Sequence, residues 1–430
     1  MTKKQRIPWL WVPSLAFSDG LPLVAVMSVS VILYKQLGLS NSAITFYTSW
    51  MYLPWILKSV WSPFIDLVKT KRWWVLAMQL LLGAAFGGIA FTIPTSFWLQ
   101  GTLFFFWAVA FLGASHCVAA DGLYMLGLNE RQQAWFMGIR SLADRLATIF
   151  GQGLLVMVAG NLQVVFRGSI SYSWSLAFYG VAGLFIALWL WHNYALPWPK
   201  DDVQRPVESV RSVWQGFLLT FRSFFMKKGV VAALLFIVLF RLPEAFLSKV
   251  TTLFLIDSGH NGGLGLSPQE YGLVQGTVGV IGVALGSILG GIVVSRGGLR
   301  RWLWPMVAAY ALPGVVYVFL SYALPQNLMV INCCVFLEQF GYGFGLTAFM
   351  LFLIYYNRGE FRTSHYALSS ALMTLSLMVP GLVAGSVQEM LGYRRFFIFV
   401  LVTFAVTFGV TLLLRMMGQN VDEAEESEEA

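Results

Sequence analysis

The 430-residue chain is poor in charge, histidine and cysteine. Lysine, arginine, aspartate and glutamate together make up 11% of its residues, against about a quarter in a typical soluble domain. Hydrophobic residues make up 58% of the chain. This composition excludes an ordinary soluble globular domain and predicts an integral membrane protein.

The three cysteines and four histidines are too few and too scattered for most sites that these residues build. Cys117, Cys333 and Cys334 all fall within apolar segments, which predicts neither a disulfide framework nor a metal site. The chain also lacks H-E-x2-H, G-x-S-x-G and a phosphate-binding G-x4-G-K-S/T motif. We therefore expect no enzyme activity, no cofactor and no metal. A membrane-embedded enzyme is the alternative from another class.

The sequence instead contains long apolar runs. A helix needs about 20 apolar residues to cross the hydrocarbon core of a bilayer, and the sequence contains twelve such stretches. They begin near Trp9, Ala43, Trp73, Leu99, Trp135, Trp174, Val230, Tyr271, Trp302, Leu328, Tyr366 and Phe396. The predicted fold is an all-α membrane protein of twelve transmembrane helices.

The distribution of basic residues predicts how the chain sits in its membrane. Most of the 28 lysines and arginines lie in the termini and in alternate loops on one side. The positive-inside rule makes that side cytoplasmic, with both chain ends in the cytoplasm. The net charge of +8 therefore reflects orientation and gives no reason to expect a nucleic-acid partner.

The chain divides into two similar parts. We predict a first six-helix half at 1–195, a cytoplasmic link at 196–228, a second six-helix half at 229–417 and a disordered acidic tail at 418–430. The first span of each half places a carboxylate next to a proline, at residues 18–22 and 241–244. Such parallel repeats are typical of transporters that alternate access around a central site.

Several ionisable residues are stranded inside apolar segments. They are Asp19, Lys58, Asp121, Arg145, Arg241, Glu244 and Glu338. A charge at bilayer depth costs several kcal/mol, so it faces a cavity or a partner and marks a substrate or ion pathway. Transport is the leading hypothesis. The two-part repeat favours alternating access over a channel.

Two loops resemble the G-x3-D-R-x-G-R-R signature of the major facilitator superfamily. The loop after the second span has Ser62 and Asp66 before its basic residues, and the loop after the eighth span has Gly291, Gly298 and three arginines. Within that superfamily, the chain resembles the AmpG-type muropeptide permeases. The resemblance rests on KSVWSPFID at 58–66, RLPEAF at 241–246, TTLFLI at 251–256, EQFGYGFGLTAF at 338–349 and YALSSAL at 366–372.

The resemblance implies an activity. Such permeases bring N-acetylglucosaminyl-anhydromuramyl peptides from the periplasm into the cytoplasm by proton-coupled import, for cell-wall recycling. It implies a monomer in the bacterial inner membrane whose partners are this small-molecule substrate, protons and the lipid bilayer. Where the family has a Gln-Asp pair in the fourth span, this chain has His116 and Cys117. Asp19, Asp144 and Lys249 replace uncharged residues. A siderophore, an oligopeptide or an acyl coenzyme is the alternative cargo.

A muropeptide offers carboxylates and sugar rings, which require cations and aromatic faces in a binding cavity. The candidate substrate-binding residues are Lys58, Arg145, Arg241, Trp55, Tyr124, Gln339 and Tyr342. The alternative for each cation is an internal ion pair; Asp144 and Asp121 are possible partners of Arg145, and Glu244 is one for Arg241. Each aromatic could instead face lipid.

Proton coupling needs a group that gains and loses a proton in each cycle. Asp121, Glu244, Glu338 and Asp19 are the candidates, because a carboxylate near a movable cation can switch between the two states. Glu338 could instead hold two helices together, and His116 is either a packing residue or a coupling residue.

The loop residues predict a gate. By the superfamily signature, Asp66, Lys71, Arg72, Arg296 and Arg300 form gate contacts that are made in one conformation and broken in another. A solvated salt bridge at the membrane surface is the alternative. Two glycine series predict close helix packing, and they are Gly282, Gly286 and Gly290, and Gly341, Gly343 and Gly345.

Overall fold

The computed structural model describes residues 7–200, 202, 221–227, 229–357 and 362–416. Most of these residues are helical, and no strand occurs among them. The all-α fold class predicted from composition is confirmed. Most of the predicted link and the whole predicted acidic tail lie outside the described residues.

Apart from the stretch at 196–229, most helices follow one another with short connections. In chain order they are α1 Val12–Val24, α2 Ser30–Gln36, α3 Asn41–Trp50, α4 Leu53–Leu67, α5 Lys71–Thr92, α6 Trp98–Gly127, α7 Glu130–Thr148, α8 Val156–Val165, α9 Ile170–Ala195, α10 Val230–Leu239, α11 Leu242–Ile256, α12 Pro268–Leu273, α13 Val280–Ala311, α14 Val315–Ala323, α15 Leu328–Tyr356 and α16 Arg362–Met416. Three π-helical segments, Ala25–Val29, Ile149–Leu155 and Val274–Gly279, join α1 to α2, α7 to α8 and α12 to α13.

Nine helical segments within the described residues are long and apolar enough to cross a membrane. Two of them, Pro268–Ala323 and His365–Arg415, have 56 and 51 residues, which is more than twice the length of one crossing. Each contains a glycine in the left-handed region, Gly298 at φ 71° and Gly392 at φ 70°, where the helix direction breaks. The predicted span from Ala43 is split between α3 and α4. The number of twelve crossings stays a prediction.

Sequence signals place several of these helix ends. A capping box between Asn129 and Gln132 starts α7, and a second one between Ser267 and Glu270 starts α12. The side chain of Thr70 accepts a hydrogen bond from the third residue of α5. Local capping therefore fixes where these helices begin.

The described helices form two compact units. The first contains Met1–Gly38 and Met51–Trp214, and the second contains Leu39–Trp50 and Gln215–Ala430. The core of the first unit is aromatic, with the Phe86 ring stacked 5.2 Å from Phe185 and 6.3 Å from Phe178. The boundaries 1–195 and 229–417 stay predictions.

Helix α3 belongs to the second unit, where it packs on α16. The buried Asn41 amide donates to Gln388 Oε1 at 2.7 Å and to the Tyr393 hydroxyl at 2.9 Å. Gly385 brings α16 close, since a Cβ atom there would lie 2.2 Å from the Asn41 carbonyl oxygen. Two residues far apart in the sequence thus share one buried polar contact.

Close packing of α13 on α15 depends on glycine, as the spacing predicts. A Cβ atom on Gly286 would lie 2.1 Å from the Phe340 carbonyl oxygen, and one on Gly343 would lie 2.2 Å from the Val283 carbonyl oxygen. Real Cβ atoms do not approach so closely, so the two backbones are in direct contact. The predicted close packing is confirmed.

Replacing Gly286 with alanine tests this contact. We expect Gly286→Ala to lower the free energy of unfolding by about 1–3 kcal/mol, because the added methyl forces two helix backbones apart. The control is Gly291→Ala on the same helix, where nothing lies within 4 Å of the new Cβ atom. The measurement is the midpoint of thermal unfolding of the purified full chain, and equal midpoints for the two variants would contradict the packing argument.

Candidate functional site

Four helices of the first unit bring together a group of ionisable side chains. We call it the Asp19 cluster, and it consists of Asp19 on α1, Lys58 on α4, His116, Cys117 and Asp121 on α6, and Arg140 on α7. Every one of them lies within a helix. Three of them, Asp19, Lys58 and Asp121, are predicted from the sequence as stranded charges.

Local sequence explains how the cluster assembles. Cys117 and Asp121 are four residues apart and share one face of α6. Gly20 lets α7 approach α1, since a Cβ atom on it would lie 3.1 Å from the Ala147 Cβ atom and 3.4 Å from an oxygen of Asp144. The absence of a side chain next to Asp19 thus brings the carboxylate within reach of α7.

Arg140 joins the two carboxylates of the cluster. Its guanidinium donates to Asp121 Oδ1 and to Asp19 Oδ2, the latter at 3.5 Å. The Tyr124 ring lies 5.4 Å from the guanidinium, and a small cavity borders Asp19, Tyr124 and Arg140. The Arg140 side chain keeps 23% exposure, against 10% for Asp19 and 40% for Asp121. The guanidinium is therefore both paired and accessible.

Lys58 supplies the second cation. Its Nζ atom donates to Cys117 Sγ at 3.4 Å, and the thiol lies 3.8 Å from Asp121 Oδ2. Ligand atoms of Asp19, Cys117 and Asp121 lie within 4.8 Å of one another, as in a metal site. Lys58 and Arg140 already donate to these atoms, so their charges do what a metal ion would do there.

A buried branch leads away from Asp19. His116 Nδ1 lies 3.3 Å from Asp19 Oδ1, and His116 Nε2 lies 3.2 Å from the Gln79 amide nitrogen. The Gln79 amide also contacts His192, whose Nε2 lies 2.9 Å from the Ser14 hydroxyl. His116, Gln79 and His192 have no exposed surface.

The second unit contains an ion pair of a different kind. Arg241 donates to both carboxylate oxygens of Glu244, at 2.7 and 2.6 Å. The hydroxyls of Tyr342 and Tyr310 donate to the same carboxylate at 2.7 and 3.2 Å. Arg241 is 5% exposed. The carboxylate is held by four hydrogen bonds, which fixes the geometry of the pair.

Glu338 in the second unit has neutral partners. Tyr317 donates to its Oε2 atom at 3.1 Å and the Gln339 amide donates to the same atom at 2.7 Å. No lysine or arginine pairs with Glu338 within the described residues. Gln339 is predicted to bind substrate, but its amide donates to the Glu338 carboxylate. For Glu338 itself, the predicted coupling role and the alternative role of holding two helices together both stay predictions.

The predicted gate residues lie at helix ends. In the first unit, the backbone amides of Lys71 and Arg72 donate to the two carboxylate oxygens of Asp202, at 2.7 and 3.1 Å. The Arg72 guanidinium donates to the Asn193 carbonyl at 2.6 Å and lies 3.9 Å from the Trp198 ring. An acidic side chain at the start of α5 stabilises its exposed amides.

The remaining gate residues are exposed or undescribed. Arg296 and Arg300 are exposed on the second unit, on either side of the break at Gly298. The Asp66 side chain lies outside the described residues. The gate stays a prediction.

The structure places Arg140 in the Asp19 cluster, and the predicted role of Arg145 in substrate binding stays a prediction. Arg145 is half-buried and takes no part in the hydrogen bonds of the Asp19 cluster. Arg140 precedes Asp144 by four residues, so the two share one helix face. This spacing could have identified Arg140 from the sequence. Gln79 and His192 carried no such signal. Trp55 lies beside Gly113, where a Cβ atom would be 3.3 Å from its ring.

Removing the Arg140 charge tests the cluster's electrostatics. We expect Arg140→Gln to lower the free energy of unfolding by about 1–3 kcal/mol, because two carboxylates lose their donor. Adding Asp121→Asn should restore part of the loss by removing one of them. Thermal unfolding of both proteins measures this, with Arg131→Gln, an exposed site on the same helix, as control. A double variant less stable than the single one would contradict the pairing.

Comparison with known proteins agrees with these observations. The family model for the Major Facilitator Superfamily matches residues 14–379. The anhydromuropeptide permease of Escherichia coli is 28% identical over 414 residues, which cover 93% of this chain and 78% of that protein. The putative transporter AmpG 4 of Rickettsia conorii is 23% identical over 401 residues, covering 90% and 92%. These relatives confirm the resemblance that the motifs indicate.

Solved structures share the fold. An inward-facing bacterial homologue of the human lysosomal transporter Spinster superposes with a TM-score of 0.69 at 15% identity, covering 98% of this chain and 99% of that one. The nucleoside transporter NupG superposes with a TM-score of 0.70 at 12% identity, covering 95% and 98%. Given the family match over most of its length and this shared fold, the chain belongs to the Major Facilitator Superfamily of membrane transporters.

Proposed function

We propose that this chain is a proton-coupled permease that imports anhydromuropeptides from the periplasm into the cytoplasm. The relative in Escherichia coli, 28% identical over nearly the whole chain, supports the cargo. The observation that carries the proposal is the sharing of Arg140 between Asp19 and Asp121. Because two carboxylates compete for one partly exposed cation, an anion that binds this cation frees a carboxylate, which can then bind a proton.

The cluster offers the groups that such a cargo needs. The stem peptide of an anhydromuropeptide carries carboxylates, and Arg140 and Lys58 are cations in a membrane-embedded setting. A guanidinium binds a carboxylate with two parallel hydrogen bonds. Tyr124 borders the same small cavity but is buried, so its contact with a sugar stays a prediction. The cluster therefore adds Arg140 to the predicted substrate-binding residues.

Charge exchange couples cargo to proton. When a cargo carboxylate takes the guanidinium of Arg140, Asp19, which is 10% exposed, loses a partner in a medium of low dielectric, whereas Asp121 is 40% exposed and stays in contact with solvent. An isolated carboxylate is expensive in such a medium, so it takes up a proton. Anion and proton then bind together, and the loaded site gains no net charge. Release of the cargo returns Arg140 to the carboxylates and expels the proton.

Glu338 is the coupling candidate of the second unit. Its partners are neutral, a tyrosine hydroxyl and an amide, so gaining a proton breaks no ion pair. Glu244 is bound to Arg241 through two hydrogen bonds and must lose that pair first. We keep both residues as proton candidates, with Glu338 favoured by its contacts.

The direction of transport follows from the proton gradient. In a bacterial inner membrane the gradient drives protons into the cytoplasm, so cargo bound together with a proton moves inward. The positive-inside distribution of lysine and arginine supports an orientation with both chain ends in the cytoplasm. We propose that the monomer is the working unit.

Uptake into proteoliposomes tests the proposed function. We expect the full chain to accumulate labelled N-acetylglucosaminyl-anhydromuramyl tripeptide when the interior is alkaline, and to equilibrate it without accumulation once the gradient is collapsed. Asp121→Asn and Glu244→Gln should abolish accumulation without preventing membrane insertion. No uptake by verified folded protein would reject the muropeptide and direct the search to siderophores, free peptides and acyl coenzymes.

The role of Arg140 in cargo binding has its own test. We expect Arg140→Gln to raise the KM for the labelled tripeptide by about tenfold or more, the cost of one charge-assisted hydrogen bond. Arg131→Gln, which removes an exposed charge from the same helix, should leave KM unchanged. An unchanged KM in Arg140→Gln would place the cargo carboxylate elsewhere.

A further inference from the structure

The buried branch of the Asp19 cluster forms one directional chain of hydrogen bonds. The Ser18 hydroxyl donates to the Leu15 carbonyl at 2.8 Å, so its oxygen is free to accept from the Gln79 amide nitrogen at 3.1 Å. The same nitrogen lies 3.2 Å from His116 Nε2 and 2.8 Å from His192 Nδ1, and we assign its second hydrogen to His116 because His192 Nδ1 can donate to Gln79 Oε1. His116 Nε2 then carries a lone pair, and the proton of neutral His116 lies on Nδ1, facing Asp19.

The other end of the chain matches this arrangement. The Gln79 Oε1 atom lies 3.0 Å from His192 Nδ1 and accepts its hydrogen in this arrangement. The Ser14 hydroxyl lies 2.9 Å from His192 Nε2 and 3.3 Å from the Trp11 carbonyl oxygen, so it donates to His192 here and can turn to Trp11. Each polar group of the chain finds a partner, as burial requires. The chain therefore runs from Ser14 through His192, Gln79 and His116 to the Asp19 carboxylate.

The same residues can hold one more proton. If His116 gains a hydrogen on Nε2, that atom needs an acceptor, and a half-turn of the Gln79 amide supplies Oε1. The amide nitrogen then takes the position of Oε1 and donates to His192 Nδ1, 3.0 Å away. His192 adopts its other tautomer and donates from Nε2 to the Ser14 oxygen, whose own hydrogen turns to the Trp11 carbonyl. Every ring nitrogen of His116 and His192 then has a partner, while the Ser18 oxygen and one amide hydrogen of Gln79 lose theirs.

Charges around the pair leave room for that proton. The groups that act on Asp19 and His116 are Arg140 and Asp144 on α7, Cys117 and Asp121 on α6, Lys58 on α4, His192 on α9 and, through His192, Arg72 on α5. The carboxylates of this set are Asp19, Asp121 and Asp144, and its cations are Arg140, Lys58 and Arg145, which acts on Asp144. The set is balanced at rest, and a positive charge on His116 would replace that of Arg140 once a cargo carboxylate binds Arg140.

We infer that Asp19 and His116 together hold the coupled proton in the first unit, and that Gln79 and His192 are positioning residues that set which ring nitrogen of His116 is protonated. The inference rests on the proposed proton coupling and deepens it. His116 Nδ1 shares its hydrogen with Asp19, and the incoming proton is bound at His116 Nε2. When Arg140 leaves Asp19 for a cargo carboxylate, the imidazolium of His116 replaces Arg140 as the cation beside Asp19.

Nitrogen-15 magnetic resonance of histidine tests the inference without any cargo. The full chain, labelled at its four histidines and held in lipid nanodiscs, is titrated from high to low pH, and His116→Gln assigns one signal. We expect neutral His116 to be protonated at Nδ1 and to become doubly protonated on acidification. In Gln79→Leu the Nε2-protonated tautomer should appear. A wild-type His116 protonated at Nε2, or one that never gains a second proton, would overturn the inference.

Transport separates coupling from structure. We expect His116→Gln to lose gradient-driven accumulation of the labelled tripeptide about tenfold or more, yet to keep exchange of labelled for unlabelled tripeptide without a gradient. Gln79→Leu should shift the pH profile of uptake by about one pH unit. The control His260→Gln alters an exposed loop residue and should change neither. Loss of exchange in His116→Gln would make His116 a binding or packing residue and contradict the inference.

Negative results of the two experiments have different meanings. If the wild-type chain moves no muropeptide, the proposed cargo is wrong, and the histidine titration still decides where the proton binds. If the titration shows no second proton on His116 while uptake follows the gradient, the proposed function stands and the coupled proton belongs to another carboxylate. Asp144→Asn is then the next variant, because Asp144 lies beside the same helix pair.

Discussion

The first unit depends on the pairing of one guanidinium with two carboxylates inside a helical bundle. Removing charge from water costs several kcal/mol per group, and only close opposite charges and hydrogen bonds offset that cost. Arg140 meets Asp19 and Asp121 from a third helix, so α1, α6 and α7 can keep their charges only while they stay together. The same pairing lets the cluster respond to a bound anion, because any anion that binds Arg140 takes its positive charge away from the two carboxylates.

The two units solve the same electrostatic problem differently. In the second unit, Arg241 and Glu244 are three residues apart and form a pair with two hydrogen bonds, closed off by two tyrosine hydroxyls. In the first unit, one cation is shared, the carboxylates lie on different helices, and partial exposure remains. A closed pair suits the fixing of the boundary between α10 and α11, and a shared cation suits exchange. The sequence repeat between the halves therefore does not extend to the chemistry of their charges.

Much of this architecture can be predicted from the sequence, and the residues that the sequence does not identify are missed for a physical reason. Stranded charges identified Asp19, Lys58 and Asp121 because hydropathy marks a single residue without reference to its neighbours. Choosing between Arg140 and Arg145 requires helix phase: five residues rotate a side chain by about 140° around the axis. Gln79 and His192 are 113 residues apart, so no local pattern could join them to His116. The division of α3 from α4 also depends on tertiary contacts that composition does not report.

The packing of α3 on α16 sets an order for assembly during synthesis. Asn41 leaves the ribosome 347 residues before Gln388 and 352 residues before Tyr393, its two partners. Until they arrive, its amide must be satisfied by water, by lipid headgroups or by the insertion machinery, since an unpaired amide in hydrocarbon is costly. The contact therefore cannot form before α16 has been synthesised, and a chain truncated before α16 would leave this polar face of α3 exposed to quality control.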